Sequence, residues 1–163
     1  MKVTSPTKVT NLNADKVDGL DASAFTRNTG FLPTEVIDGQ GPLPKENIFF
    51  TFDRADVVVL ANGSGYRDSA LVQSAAGPIG MDVYVDGVKR GSAILTTNEQ
   101  DSHKAFVDDF IVVRNVPAGF HKIELIGKYE VGSCNTATDS SNFCTTTNSG
   151  DFFRVTVIPQ PIA

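Results

Sequence analysis

The sequence predicts an all-β protein, a β-sandwich of jelly-roll type. Three observations predict it. Eleven Phe stand among many Val, Thr and Ile, the residue types that fit a pleated, half-buried surface. Apolar runs are short and bounded by Gly, Pro, Asn or Asp, at the spacing of sandwich strands. One helical turn is the only helical candidate, at Asp21-Ala22-Ser23-Ala24-Phe25 with Asp21 as N-cap.

The elements follow in chain order. Residues 1–38 carry few large apolar groups, with Val9, Leu12, Val17, Leu20 and Phe25 spread among Asn, Asp, Thr and Ser. So few anchors cannot offset a backbone ordering cost of roughly 1–2 kcal/mol per residue. This segment is expected to act as a stalk, held by the body or by copies of itself. Gly39-Gln40-Gly41-Pro42-Leu43-Pro44 reads as a hinge, so residues 39–47 are expected to be a linker and 48–163 a sandwich head.

Within the head, Ile48 to Phe52 and Val57 to Leu60 are apolar runs of strand length. Asn62-Gly63-Ser64-Gly65 reads as a turn, because no Gly-Lys-Ser/Thr follows to make a phosphate loop. Its glycosylation sequon is a chance match unless the host glycosylates. Met81 to Val85 alternates, and Asp86-Gly87 follows directly, the strongest short-range hairpin signal. The return strand runs from Val88 to Leu95, with Gly91 as a bulge. Ala105 to Arg114 is apolar on both faces apart from Asp108-Asp109, an irregularity or an edge. Phe120 to Val131 alternates, and Phe153, Val155 and Val157 close the body before Pro159 and Pro161. Phe50, Phe106, Phe110 and Phe152 fall opposite the expected core, which suggests burial between subunits.

Composition narrows function. A net charge of −5 argues against nucleic acid, whose phosphates need clustered Lys and Arg. No run approaches 18 apolar residues, so no membrane-inserted helix is expected. With two His, two Cys and no Trp, metal and nucleophilic recipes are poorly supplied. Asp101, Ser102 and His103 are adjacent and cannot converge as a triad, and no Gly-x-Ser-x-Gly elbow exists. His121 reads as a packed or interface residue. No catalytic residue, metal site or cofactor is expected. The series Asn13, Asp15, Asp18, Asp21 lacks the spacing and terminal Glu of a calcium loop and is explained by turns and caps.

Two features remain as candidate sites. The connection containing Thr97, Asn98, Glu99, Ser102, His103 and Lys104 mixes donors, acceptors and a titratable ring. It could contact a ligand, face another subunit or be a solvated loop. Cys134 and Cys144 flank a polar stretch between strands and are expected to form a disulfide, stabilising that loop by roughly 2–3 kcal/mol in the chain-entropy model. A bridge implies an extracellular setting.

The stretch Asn13-Ala14-Asp15-Lys16-Val17-Asp18-Gly19-Leu20-Asp21-Ala22-Ser23-Ala24-Phe25 resembles an element, Asn-Ala-Asp-x-Val/Leu-Asp-Gly-x-x-Ala-Ser-x-Phe, of phage tail fibres and of secreted or surface bacterial proteins. Asn13, Asp15, Val17, Asp18, Gly19, Ser23 and Phe25 carry the match, together with Ala14 and Ala22. The resemblance covers only a small part of the chain and implies a trimeric stalk ahead of a globular tip. Together these readings lead to a non-enzymatic homotrimeric fibre or surface-protein tip, extracellular, meeting a cell-surface glycan or protein receptor. The alternative is a monomeric carbohydrate-binding module of a secreted bacterial protein.

Overall fold

A computed structural model describes residues 33–107, 109–128 and 143–162, together with the backbone of 16–17 and 20–21. The chain divides into two units, residues 1–31 and 32–163. In the first, β1 (Lys16–Val17) pairs antiparallel with β2 (Leu20–Asp21). Asp21 is therefore in a strand. The other stalk residues, Asn13, Asp15, Asp18, Gly19, Ser23 and Phe25, lie outside the described residues, as does the expected helical turn at 22–25.

The second unit is a jelly roll, and its own strand order shows why. Its innermost hairpin is β6 (Gly77–Val85) with β7 (Val88–Thr97). Outside that pair, β5 (Ala55–Gly65) meets β9 (Asp109–Val116), β4 (Lys45–Thr51) meets β10 (Gly119–Gly127), and β3 (Thr34–Gln40) meets β11 (Phe152–Pro161). All four pairs are antiparallel, so the chain is a nested double ribbon rolled into two layers. Rolling gives one sheet in the order β4-β10-β6-β7 and another in the order β3-β11-β5-β9. The short β8 (Lys104–Ala105) prolongs the β9 side of the second sheet against Ser64 and Gly65. That pattern is the eight-stranded jelly roll.

The core is the alternate side chains of both layers. Val57, Val59, Ala61, Phe153, Val155 and Val157 from one sheet face Ile79, Met81, Val83, Val85, Ile123 and Leu125 from the other, all essentially without solvent exposure. Each large one contributes roughly 1.5–3 kcal/mol by burial.

Asp86 and Gly87 form the expected tight turn, with φ of 52° and 74°, the left-handed pair that matches hairpin twist. The bulge near Gly91 is also present: Val83 pairs with Gly91 and Tyr84 with Lys89, which leaves Arg90 as the extra residue. Gly87→Ala meets no steric obstacle but must hold a Cβ at positive φ. It is expected to destabilise the protein by about 1 kcal/mol, read as a lower urea midpoint with unchanged slope.

Three expectations are corrected. The head begins near Leu32, not at residue 48, because Thr34–Gln40 is a sandwich strand on the edge of its sheet. The Gly- and Pro-rich stretch is the connection by which the chain crosses from one sheet to the other within that unit. It carries a positive φ at Gly41 and a cis Leu43–Pro44 bond. Asn62 to Gly65 is the end of strand β5, not a turn. Its glycines are there because Phe153 and Phe106 fill the space that side chains at 63 and 65 would need. Phe106 itself is buried in the core and does not face outward.

Candidate functional site

The connection from Thr97 to Lys104 is tied down along most of its length. Glu99 N donates to Thr97 Oγ1 at 3.1 Å, and Lys104 Nζ pairs with Glu99. That ammonium, with a hydrogen bond from Ser102, holds the Glu99 carboxyl below its usual range. Gln100 Nε2 donates to Val72 O at 2.6 Å, and Asp101 N to Arg67 O at 2.8 Å. Asp101 Oδ1 accepts from Ser69 N at 2.9 Å, and hydrogen bonding from Ser69 lowers its pKa. Asn98 is exposed.

His103 anchors the far end of this connection. Its Nδ1 donates to Asp151 Oδ1 at 2.8 Å, and its ring lies 4.6 Å from that of Tyr66. Asp151 is fully buried and also accepts from Ser64 Oγ at 2.6 Å and Asn148 N at 2.7 Å. Histidine and serine thus both address the carboxylate, an arrangement that clasps two loops and does not activate the hydroxyl. The polar groups of the candidate loop are mostly spent on holding its shape.

His121 is buried, as expected of a packed residue, with Nδ1 2.8 Å from Asp86 and Nε2 2.9 Å from Pro117 O. Burial pushes the Asp86 carboxyl up, but hydrogen bonds from His121 and Lys122 N outweigh it and leave it lowered. Among the described residues no group of three or more His, Cys, Asp or Glu is placed to hold a metal ion. Cys144 is buried beside Val72, and no described cysteine is free. Its expected partner, Cys134, lies outside the described residues.

A better candidate surface is the outer face of the four-stranded sheet. On β4 and β10 alternation turns Ile48, Phe50, Phe120, Lys122 and Glu124 outward. Register then sets Phe50 opposite Phe120, Ile48 opposite Lys122, and Glu46 opposite Glu124. The Phe50 ring sits 4.9 Å from that of Phe120 and 5.0 Å from that of Phe52, the latter edge to face. Phe52 and Phe120 are 77% and 75% exposed, far too open for a core role.

Beside the rings, Lys122 Nζ bridges Glu46 at 2.7 Å and Glu124 at 2.8 Å. Those two carboxylates raise the lysine pKa, Glu124 most, so the cation stays charged. Glu124 leads across the face to Tyr84, which pairs with Lys89. Farther on, Asp82 accepts from Ser92 Oγ at 2.6 Å, Lys89 at 2.9 Å and Lys128 at 3.0 Å. Around the strand edge, Thr34, Phe49, Phe50, Phe52, Val157 and Pro159 line a shallow, mainly apolar cleft. The sheet face therefore combines an aromatic corner with charged groups held in fixed positions by ion pairs. Of these residues the sequence reading had singled out Phe50, as a ring opposite the expected core. Phe52, Phe120, Lys122 and Glu124 were legible only as positions in expected strands, and Glu46 fell in the expected linker.

No family model matches the chain, and no curated protein matches it in sequence. Solved structures resemble it distantly. One is the CBM36-1 domain of a multidomain xylanase from the hindgut metagenome of Trinervitermes trinervoides. It has a TM-score of 0.36 at 11% identity, covering 83% of this chain and 94% of that one. A carbohydrate-binding module CBM36 in complex with calcium and xylotriose gives 0.33 at 11%, covering 79% and 99%. A Podospora anserina GH26-CBM35 β-(1,4)-mannanase gives 0.33 at 12%, covering 76% of this chain and 21% of that one. The jelly-roll assignment stands on the strand order and register of the chain itself.

Proposed function

We propose that the sandwich is a non-catalytic, extracellular recognition module that binds saccharide on the outer face of its four-stranded sheet. The observation that carries this reading is the solvent-facing ring cluster Phe50–Phe52–Phe120 beside the Glu46–Lys122–Glu124 ion pairs. Aromatic faces accept the apolar C–H side of a sugar ring. The charged groups next to them supply donors and acceptors for its hydroxyls, and their ion pairs bias them toward the sheet face. The Asn13–Phe25 element is proposed as the attachment stalk, and Cys134–Cys144 as a bridge that stiffens the loop before β11.

The homotrimeric fibre tip gains less from the fold. Its surplus phenylalanines included Phe106, which is a core residue, and the exposed rings at 50, 52 and 120 form one corner.

The test is calorimetric titration against a panel of soluble polysaccharides and their oligosaccharides. At least one should bind, and Phe52→Ala with Phe120→Ala should weaken it by about tenfold or more, as for other anchoring aromatics. Both rings are exposed, so the folded protein should survive the changes. Absence of binding across the panel, or unchanged binding by the double variant, would sink the proposal.

A further inference from the structure

We infer that His121 is a pH-sensitive latch under the aromatic corner. With a proton on both ring nitrogens it ties the turn ahead of Phe120 to Asp86, and on losing one it frees that turn. As regulation of the proposed sugar face, this rests on the saccharide reading above.

The argument is a count of protons. His121 is 5% exposed, so its ring nitrogens must find partners within the protein. Nδ1 lies 2.8 Å from Asp86 Oδ2, and Nε2 lies 2.9 Å from Pro117 O. A carbonyl oxygen only accepts, and so does a carboxylate. Asp86 is a carboxylate at neutral pH, since its pKa lies below the usual range. Thr51 has one hydroxyl proton to offer. Its Oγ1 is 2.6 Å from Pro117 O and 3.3 Å from Nε2, so the carbonyl takes that proton. Each ring nitrogen therefore needs a proton of its own. The geometry is that of an imidazolium.

His103, the second of the two histidines, gives the contrast. Its Nδ1 also faces a carboxylate, Asp151 at 2.8 Å, but its Nε2 faces a donor, Asn148 Nδ2 at 3.3 Å. The amide is fixed that way round, because Asn148 Oδ1 accepts from Gly150 N at 2.8 Å. One ring proton satisfies His103. His121 needs two.

Histidine is the side chain whose ordinary titration falls between about pH 5 and 8. Among the described residues Asp86 is the charged group in contact with the His121 ring, and Arg90 of β7 acts on Asp86 in turn. β4 contributes Thr51 and the Phe49 ring, 5.3 Å away, and the turn before Phe120 contributes Pro117. As pH rises, the Nε2 proton is the one to leave, because Nδ1 faces the anion. Two acceptors then stand 2.9 Å apart. Thr51 can relieve that contact only by turning its own proton away from Pro117 O. Either way the carbonyl loses a donor. Thr51 lies between Phe50 and Phe52 and pairs with Gly119, which leads into Phe120. All three rings of the corner are joined to the network that loosens.

The test is nitrogen NMR of the two histidine rings in the full chain, from about pH 5 to about pH 9, past ordinary imidazole titration on both sides. His121 should start with two ring protons and lose the one on Nε2. Amide protection at Ala118, Gly119 and Phe120, corrected for the intrinsic effect of pH, should fall in step by about tenfold, the worth of one hydrogen bond. Asp86→Asn suits the tight turn and removes the anion, so both changes should move to lower pH. Binding of a saccharide from the panel above should weaken along the same curve and move with it in Asp86→Asn. Four results would overturn the latch: one ring proton on His121 throughout, two throughout, turn protection that ignores the titration, or binding that is unmoved while the turn loosens. If ring and turn titrate together but no saccharide binds at any pH, the latch stands and the saccharide reading fails.

Discussion

Asp151→Ala is expected to cost about 3 kcal/mol or more, among the largest effects of any polar substitution in this protein. The carboxylate is fully buried and takes hydrogen bonds from Ser64 Oγ, His103 Nδ1 and Asn148 N. Ser64 Oγ in turn accepts from Phe152 N at 3.2 Å. Alanine leaves three donors facing a void in a place water reaches poorly. The loss should be local as well as global. Cleavage by a non-specific protease in the 98–104 connection should accelerate beyond what the lower global stability explains, because His103 loses its anchor. Asp151→Asn keeps the shape and one acceptor, and should recover part of the stability. If alanine leaves the urea midpoint within error of the parent, the clasp is not the structural element described above.

Gly80→Ala is expected to be at least as damaging. A Cβ at this position would lie 2.3 Å from Ala93 O and 3.1 Å from Ile94 Cα. Both are backbone atoms of the paired strand β7, so no side chain can swing away. Gly80 also donates to Thr145 Oγ1 at 2.8 Å and accepts from Lys128 N at 2.9 Å, which pins it from the other side. Relief would require β6 and β7 to separate, with a cost of about 3 kcal/mol or more, at the upper end for overpacking. Soluble expression at low temperature with a thermal midpoint more than about ten degrees lower is the expected outcome. Gly39→Ala is the matched control, since nothing lies within 4 Å of a Cβ there.

How much of this was legible beforehand follows from how local each signal is. The β6–β7 hairpin was readable because its two turn residues encode their own backbone conformation. The all-β class was readable from strand-length runs. β3 escaped because its bulge turns Val36 and Ile37 inward together, which removes the alternation that marks a strand. Its connection to β4 looked like an interdomain linker because a corner between sheets needs the same Gly and Pro as a linker does. Phe106 was misplaced because it sits between β8 and β9, where side-chain parity resets; its backbone N bonds to Gly63 O at 2.7 Å. The glycines of Asn62–Gly65 looked like a turn because the reason for them, two rings from distant strands, has no trace in local sequence. The aromatic corner failed for a related reason. Phe50 and Phe120 lie seventy positions apart, and only the β4–β10 register makes them neighbours.

The nesting of β3 against β11 has a mechanical consequence. Thr34 at the start of β3 pairs with Val157 near the end of β11, while Gln40 pairs with Phe152. The two strands by which the sandwich joins the rest of a chain therefore leave from the same corner. Tension applied between them would load their hydrogen bonds one at a time, peeling the ribbon open from that corner, instead of loading all of them together in shear. A head hung from one of the two strands carries no such load. This topology tolerates tethering at a single end and yields readily when stretched in line between two attachments.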